Sequence, residues 1–143
     1  MADIDPTDVA RLVAESEIRR TIADYCHSCD DGRFDDYGAC FTADAVMVAM
    51  GDDIVGREAI VAWITAAQPP ERRGKHVTIN TLIDIDVDAG TATGATDYMF
   101  LGRSPNGPQI TTAGRYLDEF VREGERWLFA RREITFLVPP GGG

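Results

Sequence analysis

The residues best suited to acid–base chemistry lie near the end of one predicted helix and at the start of a later strand. Tyr25 and Asp30 are five residues apart, within a stretch where polar side chains can turn inward as the helix ends. The chain has two histidines, and one of them, His76, lies near the start of the predicted strand. The sequence therefore predicts that Asp30 and His76 meet in an apolar pocket with Tyr25 beside them.

This combination suits an elimination next to a carbonyl group. Such a reaction needs a base for the α-proton, a donor for the developing enolate and help for the leaving group. His76 is a suitable base because imidazole titrates near working pH. Asp30 would accept a hydrogen bond from the far ring nitrogen, fix the tautomer and stabilise the imidazolium. Tyr25 could donate to the carbonyl oxygen or to the departing hydroxyl.

Each of these residues also has an ordinary structural interpretation. His76 could be a surface histidine at the start of a strand. Asp30 could belong to helix-terminal turn chemistry, as we expect of its neighbour Asp31. Tyr25 could be a core aromatic residue whose hydroxyl is satisfied.

Composition limits the classes of partner and compartment. The net charge of −10 at pH 7 disfavours a nucleic-acid partner, because phosphate binding needs clustered Lys and Arg. We expect no membrane partner, since the acidic N-terminus lacks the features of a signal peptide and no apolar run approaches the roughly 20 residues that span a bilayer. Three cysteines, an odd number, disfavour a disulfide framework and indicate a reducing compartment, which predicts a cytoplasmic protein.

The motifs also disfavour a metal or a cofactor. Cys26 and Cys29 have CxxC spacing, but no second pair of cysteines exists to complete a zinc site. They lie near a helix end rather than at a helix N-terminus, where thiolates are stabilised, so packing cysteines are expected. No glycine-rich phosphate loop, GxSxG or HExxH motif is present. We therefore expect neither a cofactor nor a metal.

Helical patterns dominate the first half of the chain. Asp5 and Pro6 predict a helix start, and an apolar stripe that falters at Ser16 predicts a short helix leading into a longer one that ends near Gly32. A second short helix is predicted to carry Phe34, Tyr37 and Phe41 on one face. A small hairpin at about 46–55 and a third helix from Gly56 to Pro69 follow.

Everything after Lys75 is predicted to be strand, at about 76–87, 91–101, 110–122 and 126–137. In the first of these strands, simple alternation gives two faces: Val77, Ile79, Ile83, Ile85 and Val87 on one, and His76, Thr78, Asn80 and Leu82 on the other. Three helices followed by a strand meander indicate an α+β fold. We expect one domain over residues 1–143 with a disordered tail at 138–143. Its N-terminal helices should pack on a strongly curved antiparallel sheet, forming a cone-shaped (α+β barrel) fold that encloses a pocket.

Several short motifs together resemble the SnoaL-like branch of the nuclear transport factor 2-like superfamily. They are Tyr25 with Asp30, Phe41–Ala45, Gly56–Ile60, His76 with Asn80, Gly114–Asp118, and Trp127 followed by Arg132. The resemblance covers nearly the whole chain and implies the α+β cone. It is less specific for function, because the superfamily holds dehydratases, isomerases, cyclases, epoxide hydrolases and non-enzymatic binding domains.

Within that superfamily the chain most resembles the scytalone dehydratase and bile-acid 7α-dehydratase group. Those enzymes pair an aspartate at the position of Asp30 with a histidine at that of His76. The bile-acid enzyme also uses a tyrosine, an aspartate and an arginine, which the resemblance places at Tyr25, Asp97 and Arg132.

The two charged strand residues in that set need partners if they face inward. Asp97 and Arg132 could pair with each other or with Asp30, because an unpaired inward charge is costly. Arg131 shares the predicted face of Trp127, so the sequence leaves open which arginine faces the pocket.

The resemblance and the residues together predict a cofactor-independent lyase, most simply a dehydratase, using Asp30 and His76 on a small, mostly apolar polycyclic or aromatic substrate. An isomerase or polyketide cyclase could use the same base, and a non-catalytic ligand-binding or dimerisation module is the alternative from another class. The later strands carry more apolar side chains than a small helical layer can cover. We therefore expect self-association as a homodimer or homotrimer through the outer sheet face.

Overall fold

A computed structural model describes residues 2–141 of the chain. Its N-terminal half supplies three α-helices, α1 (Pro6–Asp31), α2 (Phe34–Gly38) and α3 (Arg57–Ala67), and a short 3₁₀ turn at Pro70–Arg72 follows α3. None of the helices within residues 2–141 has both the length and the apolar composition required to cross a lipid bilayer.

Helix α1 is continuous, whereas the sequence predicted a short helix followed by a longer one. The Asp5 side chain caps its start by accepting a hydrogen bond from the Thr7 N–H at 2.8 Å, and Gly32 ends it with a φ of 73°. Ser16, where the apolar stripe falters, lies on the exposed side of the helix. A polar residue there interrupts the apolar pattern without interrupting the backbone hydrogen bonds.

Six strands form one sheet in the order β2-β1-β6-β5-β4-β3. Their bounds are β1 (Phe41–Ala49), β2 (Asp52–Val55), β3 (Lys75–Asp86), β4 (Thr91–Gly102), β5 (Gln109–Glu123) and β6 (Arg126–Val138). Four neighbouring pairs are antiparallel, and β1 runs parallel to β6. The fold is therefore α+β, as predicted, with a sheet that is mixed rather than wholly antiparallel. Strand β6 reaches Val138, so the tail predicted at 138–143 begins at the strand's last residue, and its last two residues lie outside the described part.

Phe41 begins strand β1 instead of completing the face of the second helix. Helix α2 is only five residues long, and the Phe129 N–H donates a hydrogen bond to the Cys40 carbonyl at 2.8 Å, which starts the pairing of β1 with β6. Helical spacing from Phe34 to Phe41 was therefore misleading. The Phe41 ring nevertheless joins the core, where it lies 5.2 Å from the Phe129 ring.

A β-bulge in β3 changes which side chains face inward. Asn80 has a φ of 54°, and the pairing with β4 slips by one residue between Ile79 and Leu82. One extra residue moves every later side chain to the opposite face. His76 is therefore on the same inner face as Ile83, and Leu82 is 73% exposed on the outer face. The predicted faces of β3, which assumed uninterrupted alternation, are wrong beyond the bulge.

Candidate active site

Asp30, in the last turn of α1, and His76, the second residue of β3, are in direct contact. Asp30 Oδ1 lies 2.6 Å from His76 Nδ1, and the two carboxylate oxygens lie 3.2 and 3.1 Å from the backbone nitrogen of His76. The side chains are only 5% and 9% exposed, respectively. The aspartate thus holds both the backbone and the ring of the histidine, and the two residues meet as the sequence predicted.

This contact fixes the tautomer of the imidazole. A carboxylate can only accept hydrogen bonds, so the proton of neutral His76 lies on Nδ1 and the lone pair on Nε2. The ring is also packed against Phe100, with ring centroids 4.8 Å apart. A Cβ at Gly74 would collide with the Leu101 carbonyl, so glycine permits the close approach of β3 and β4 beside the histidine. Nε2 is the nitrogen left available as a base.

Tyr25 packs against the histidine and against the core aromatic residues Tyr37, Tyr116 and Phe129. It is 2% exposed, and its ring centroid is 6.0 Å from that of His76. Burial raises the pKa of Tyr25 to about 12, although the charge of Arg132 acts in the opposite direction. The hydroxyl is therefore neutral at physiological pH and remains a hydrogen-bond donor.

Arg132 faces inward and forms a buried ion pair with Asp118 of β5. Its Nε and Nη2 atoms lie 2.7 and 2.8 Å from the two Asp118 oxygens, and both side chains are fully buried. Burial alone would lower the pKa of Arg132, but the Asp118 carboxylate raises it above its ordinary value. The guanidinium also lies over three aromatic rings, at 4.3 Å from Tyr25, 3.9 Å from Tyr116 and 4.1 Å from Phe129.

A second bulge explains which arginine turns inward. The pairing of β5 with β6 slips between Glu119 and Phe120, opposite Ala130, and this extra residue brings Arg132 to the inner face. Arg131 lies 3.2 Å from Glu133 and is partly exposed. The predicted face for Arg131 assumed unbroken alternation from Trp127 and is therefore wrong.

Asp97 is not part of this arrangement. Its neighbours Thr96 and Tyr98 face inward, so alternation along β4 turns Asp97 to the outer face. There it accepts hydrogen bonds from Arg115 at 2.6 Å and from Asn80 at 3.2 Å, and these contacts lower the pKa of Asp97. Of the predicted site residues, Tyr25, Asp30, His76 and Arg132 come together, whereas Asp97 lies apart from them.

Two residues on the inner face of the sheet, Asp118 and Tyr98, were not predicted as site residues from the sequence. Asp118 alternates with Tyr116 and Phe120 on one face of β5, and this period-two spacing between aromatic residues was the signal for a buried carboxylate. Tyr98 of β4 is 4% exposed, and its ring stacks on that of Tyr116 with centroids 4.1 Å apart. Both residues lie on the sheet face that carries His76.

One depression in the surface lies away from the Asp30–His76 pair. It has a volume of about 640 Å³ and is lined by residues from the ends of β3, β4 and β5, including Asp84, Thr91 and Phe120. Beside the pair, the interior is occupied by aromatic rings.

Within residues 2–141, no group of three or more His, Cys, Asp or Glu side chains is placed to hold a metal ion, and the three cysteines are buried free thiols.

Comparisons with known proteins agree with this architecture. A model of the SnoaL-like domain family matches residues 10–133. An NTF2-like protein with a cystatin-like fold from Novosphingobium aromaticivorans is 21% identical, with 98% of this chain and 95% of that chain covered and a TM-score of 0.82. A candidate scytalone dehydratase from the same organism is 23% identical, with 96% and 98% covered and a TM-score of 0.81.

A third structure includes a bound small molecule. This protein, from Catenulispora acidiphila, was solved in complex with S-DNPA; it is 25% identical, with 84% of this chain and 92% of that chain covered and a TM-score of 0.72. A sequence search of curated proteins found no significant match. The structural likenesses confirm the predicted NTF2-like cone fold.

Proposed function

Because this chain belongs to the SnoaL-like domain family, we propose that it is a cofactor-independent lyase of the dehydratase type, with His76 as its base. The observation that carries the proposal is the contact between Asp30 and His76. A buried carboxylate that fixes the imidazole tautomer and leaves Nε2 free is the arrangement that general base catalysis requires. A module that only binds ligands has no need of it.

The proposed reaction removes water from a β-hydroxy carbonyl compound. His76 Nε2 takes the proton on the carbon next to the carbonyl, and the electrons of that C–H bond form an enolate. Asp30 stabilises the resulting imidazolium. The enolate then re-forms the carbonyl and expels the β-hydroxyl, which takes the proton back from the imidazolium and leaves as water. The product is the α,β-unsaturated carbonyl compound, and the histidine is restored.

The lining of the interior supports a small, largely apolar substrate. The rings of Tyr25 and Phe100 pack against the histidine ring, and Tyr98 and Tyr116, which stack on each other, lie on the same inner face of the sheet. Aromatic surroundings of this kind favour polycyclic or aromatic ligands. The relative bound to S-DNPA supports a small organic ligand. Isomerisation or ring closure would use the same base, with the proton returned to carbon instead of to a leaving hydroxyl.

The proposal also includes self-association through the outer face of the sheet. Leu82, Ala95 and Leu117 are directly paired across three neighbouring strands, and Leu82 and Leu117 are 73% and 41% exposed. Ile79, on the same face, is 44% exposed. An apolar row of this kind is stabilised when it is buried against a second copy, in a homodimer or homotrimer.

A comparison of the two histidines tests the catalytic proposal. A panel of aromatic β-hydroxy ketones is assayed for water loss with His76→Ala and with His27→Ala, which removes the other, exposed histidine. We expect His76→Ala to lower turnover by about 10²- to 10⁴-fold, the usual contribution of a general base, while the far-ultraviolet circular dichroism is unchanged. His27→Ala should retain full turnover. Near-complete activity of His76→Ala on a substrate that the wild-type protein dehydrates would overturn the proposal.

Asp30→Asn then separates catalysis from binding. This variant keeps the shape and one acceptor but loses the charge that stabilises the imidazolium. We expect ligand affinity to change little and turnover of bound substrate to fall strongly. Loss of affinity with intact turnover would instead make Asp30 a binding group.

A further inference from the structure

One nitrogen of the buried Arg132 makes no hydrogen bond to any described residue. Nε and Nη2 bind the Asp118 carboxylate, and Nη1 has no partner within residues 2–141. In a guanidinium bound through Nε and Nη2, Nη1 lies at the edge away from the carboxylate. Buried donors are nearly always hydrogen-bonded to something. A fully buried cation with a free donor edge is therefore suited to a polar atom that comes from outside the chain.

The hydroxyl of Tyr98 is a second buried donor without a partner among the described residues. Tyr98 pairs with Thr78 across β4 and β3, two residues along β3 from His76 and on the same face. On its other side, its ring stacks on Tyr116, and the Tyr116 ring lies 3.9 Å from the Arg132 Cζ atom. Tyr98 therefore lies between the base and the guanidinium on the inner face of the sheet.

The buried charges limit what a ligand can bring to these donors. The buried region already contains two carboxylates, Asp30 beside His76 and Asp118 beside Arg132, and one guanidinium, and these three side chains are at most 5% exposed. A permanently anionic ligand would add a third negative charge to a region of low dielectric constant, which is costly. An uncharged carbonyl adds none. When His76 takes a proton from such a ligand, the enolate and the imidazolium appear together, and the net charge of the interior is unchanged.

We infer that Arg132 Nη1 and the Tyr98 hydroxyl bind the carbonyl oxygen of the substrate, and that the substrate is an uncharged carbonyl compound. The inference rests on the proposed function, because it assigns the oxygen on which the enolate charge develops. Donors aimed at such an oxygen in a water-poor site stabilise the transition state. Asp118 holds the plane of the guanidinium, so that Nη1 is presented in one direction.

Two tyrosines provide a matched test. Tyr98→Phe and Tyr37→Phe each delete one buried hydroxyl that has no partner among the described residues. Tyr37 lies on α2 rather than on the sheet, with its ring 4.8 Å from that of Tyr25. Removing an unpaired hydroxyl costs the fold little, so neither variant should have a lower melting temperature. The two variants should differ only in what they bind.

The probes are 2-acetylnaphthalene, which is an uncharged ketone, and 2-naphthoate, which has the same rings and a carboxylate. We expect the wild-type protein to bind the ketone more tightly, and Tyr98→Phe to weaken ketone binding about 3- to 10-fold, the effect of one hydrogen bond. Tyr37→Phe should leave ketone affinity unchanged. The dissociation constants are measured by titration calorimetry, without any turnover.

Several results would overturn the inference. The wild-type protein could bind 2-naphthoate more tightly than the ketone, or it could show no saturable binding of the ketone. Equal ketone affinity of Tyr98→Phe and the wild type would also contradict it, and would indicate that a structural water occupies the two donors. Because the readout is binding, it separates the two proposals. Weakened ketone binding by Tyr98→Phe, together with full dehydratase activity of His76→Ala, would refute His76 as the base and support the carbonyl-binding site. Unchanged ketone binding by Tyr98→Phe, together with an inactive His76→Ala, would refute the carbonyl-binding site and support His76 as the base.

Discussion

The ion pair between Asp118 and Arg132 can be fully buried because its geometry offsets the loss of water. Removing two charges from water costs several kcal/mol per ion, and only close, hydrogen-bonded partners offset that cost. Here two parallel contacts of 2.7 and 2.8 Å join the side chains, and three aromatic rings face the guanidinium. The same contacts prevent Arg132 from rotating. A residue that stabilises the core in this way is also held in one orientation for a ligand.

The tyrosines make a residue-scale prediction about alkaline pH. All four tyrosines of the chain are buried: Tyr25, Tyr37, Tyr98 and Tyr116. Burial is the largest cause that raises the pKa of each, to about 12 for Tyr25. We therefore expect no tyrosinate absorbance from the folded protein near pH 10, where exposed tyrosine titrates.

The sign of the effect on stability follows from these directions. The pKa of each tyrosine is higher in the folded protein than in the unfolded chain. The contribution of the neutral tyrosines to the free energy of unfolding is therefore complete below pH 10, and it is lost as the pH rises through the folded-state pKa values. Tyrosinate should thus appear together with the loss of helical circular dichroism. The control is the chain in guanidinium chloride, which should ionise near pH 10. Ionisation of any tyrosine near pH 10 in protein that is still folded would contradict the prediction.

At the scale of the strands, two bulges determine which chemistry faces the interior. The bulge at Asn80 lets His76 and the aliphatic residues beyond it share one face of β3, and the bulge at Ala130 turns Arg132 inward on β6. A strand without a bulge would place one half of these side chains on the wrong side. Both bulges therefore belong to the construction of the site as well as to the shape of the sheet.

The backbone at Asn80 gives the element-scale prediction. Its φ of 54° lies in the left-handed region, which asparagine and glycine tolerate and β-branched residues do not. Asn80→Val should lower the free energy of unfolding by about 1–2 kcal/mol, whereas Asn80→Gly should be close to neutral. Both variants lose the same exposed contact with Asp97, so the comparison isolates the backbone. Urea unfolding measures the difference, and equal stability of the two variants would show that the bulge carries no such strain.

At the scale of the whole molecule, local patterns predicted the elements better than their connections. Helical spacing and strand alternation predicted α3 and the four late strands, and the residue types together with the family resemblance predicted the meeting of Asp30 with His76. The parallel pairing of β1 with β6 joins segments far apart in sequence and leaves no periodic signal. The bulges depend on single backbone angles that composition does not encode. Asp97 was placed from a resemblance, and strand alternation turned it to the outer face.

The two faces of the sheet differ in the side chains that they carry, and this difference bears on association between copies of the protein. The inner face is aromatic and covered by the helices. The outer face combines the row of Leu82, Ala95 and Leu117 with intramolecular ion pairs such as Arg115–Asp97. Ion pairs that are satisfied within one chain do not oppose contact with a second copy as unpaired charges would.

Self-association through this face is tested by placing a charge in the row. We expect the wild-type protein to be a dimer or trimer by light scattering at micromolar concentration, and Leu82→Lys to shift it to the monomer, because the new ammonium group would be buried without a partner. Leu12→Lys is the matched control, since Leu12 is 67% exposed on α1, away from the sheet, against 73% for Leu82. The control should keep the wild-type mass. A monomeric wild-type protein would refute association, and dissociation by Leu12→Lys with an intact Leu82→Lys oligomer would move the interface from the sheet to the helix.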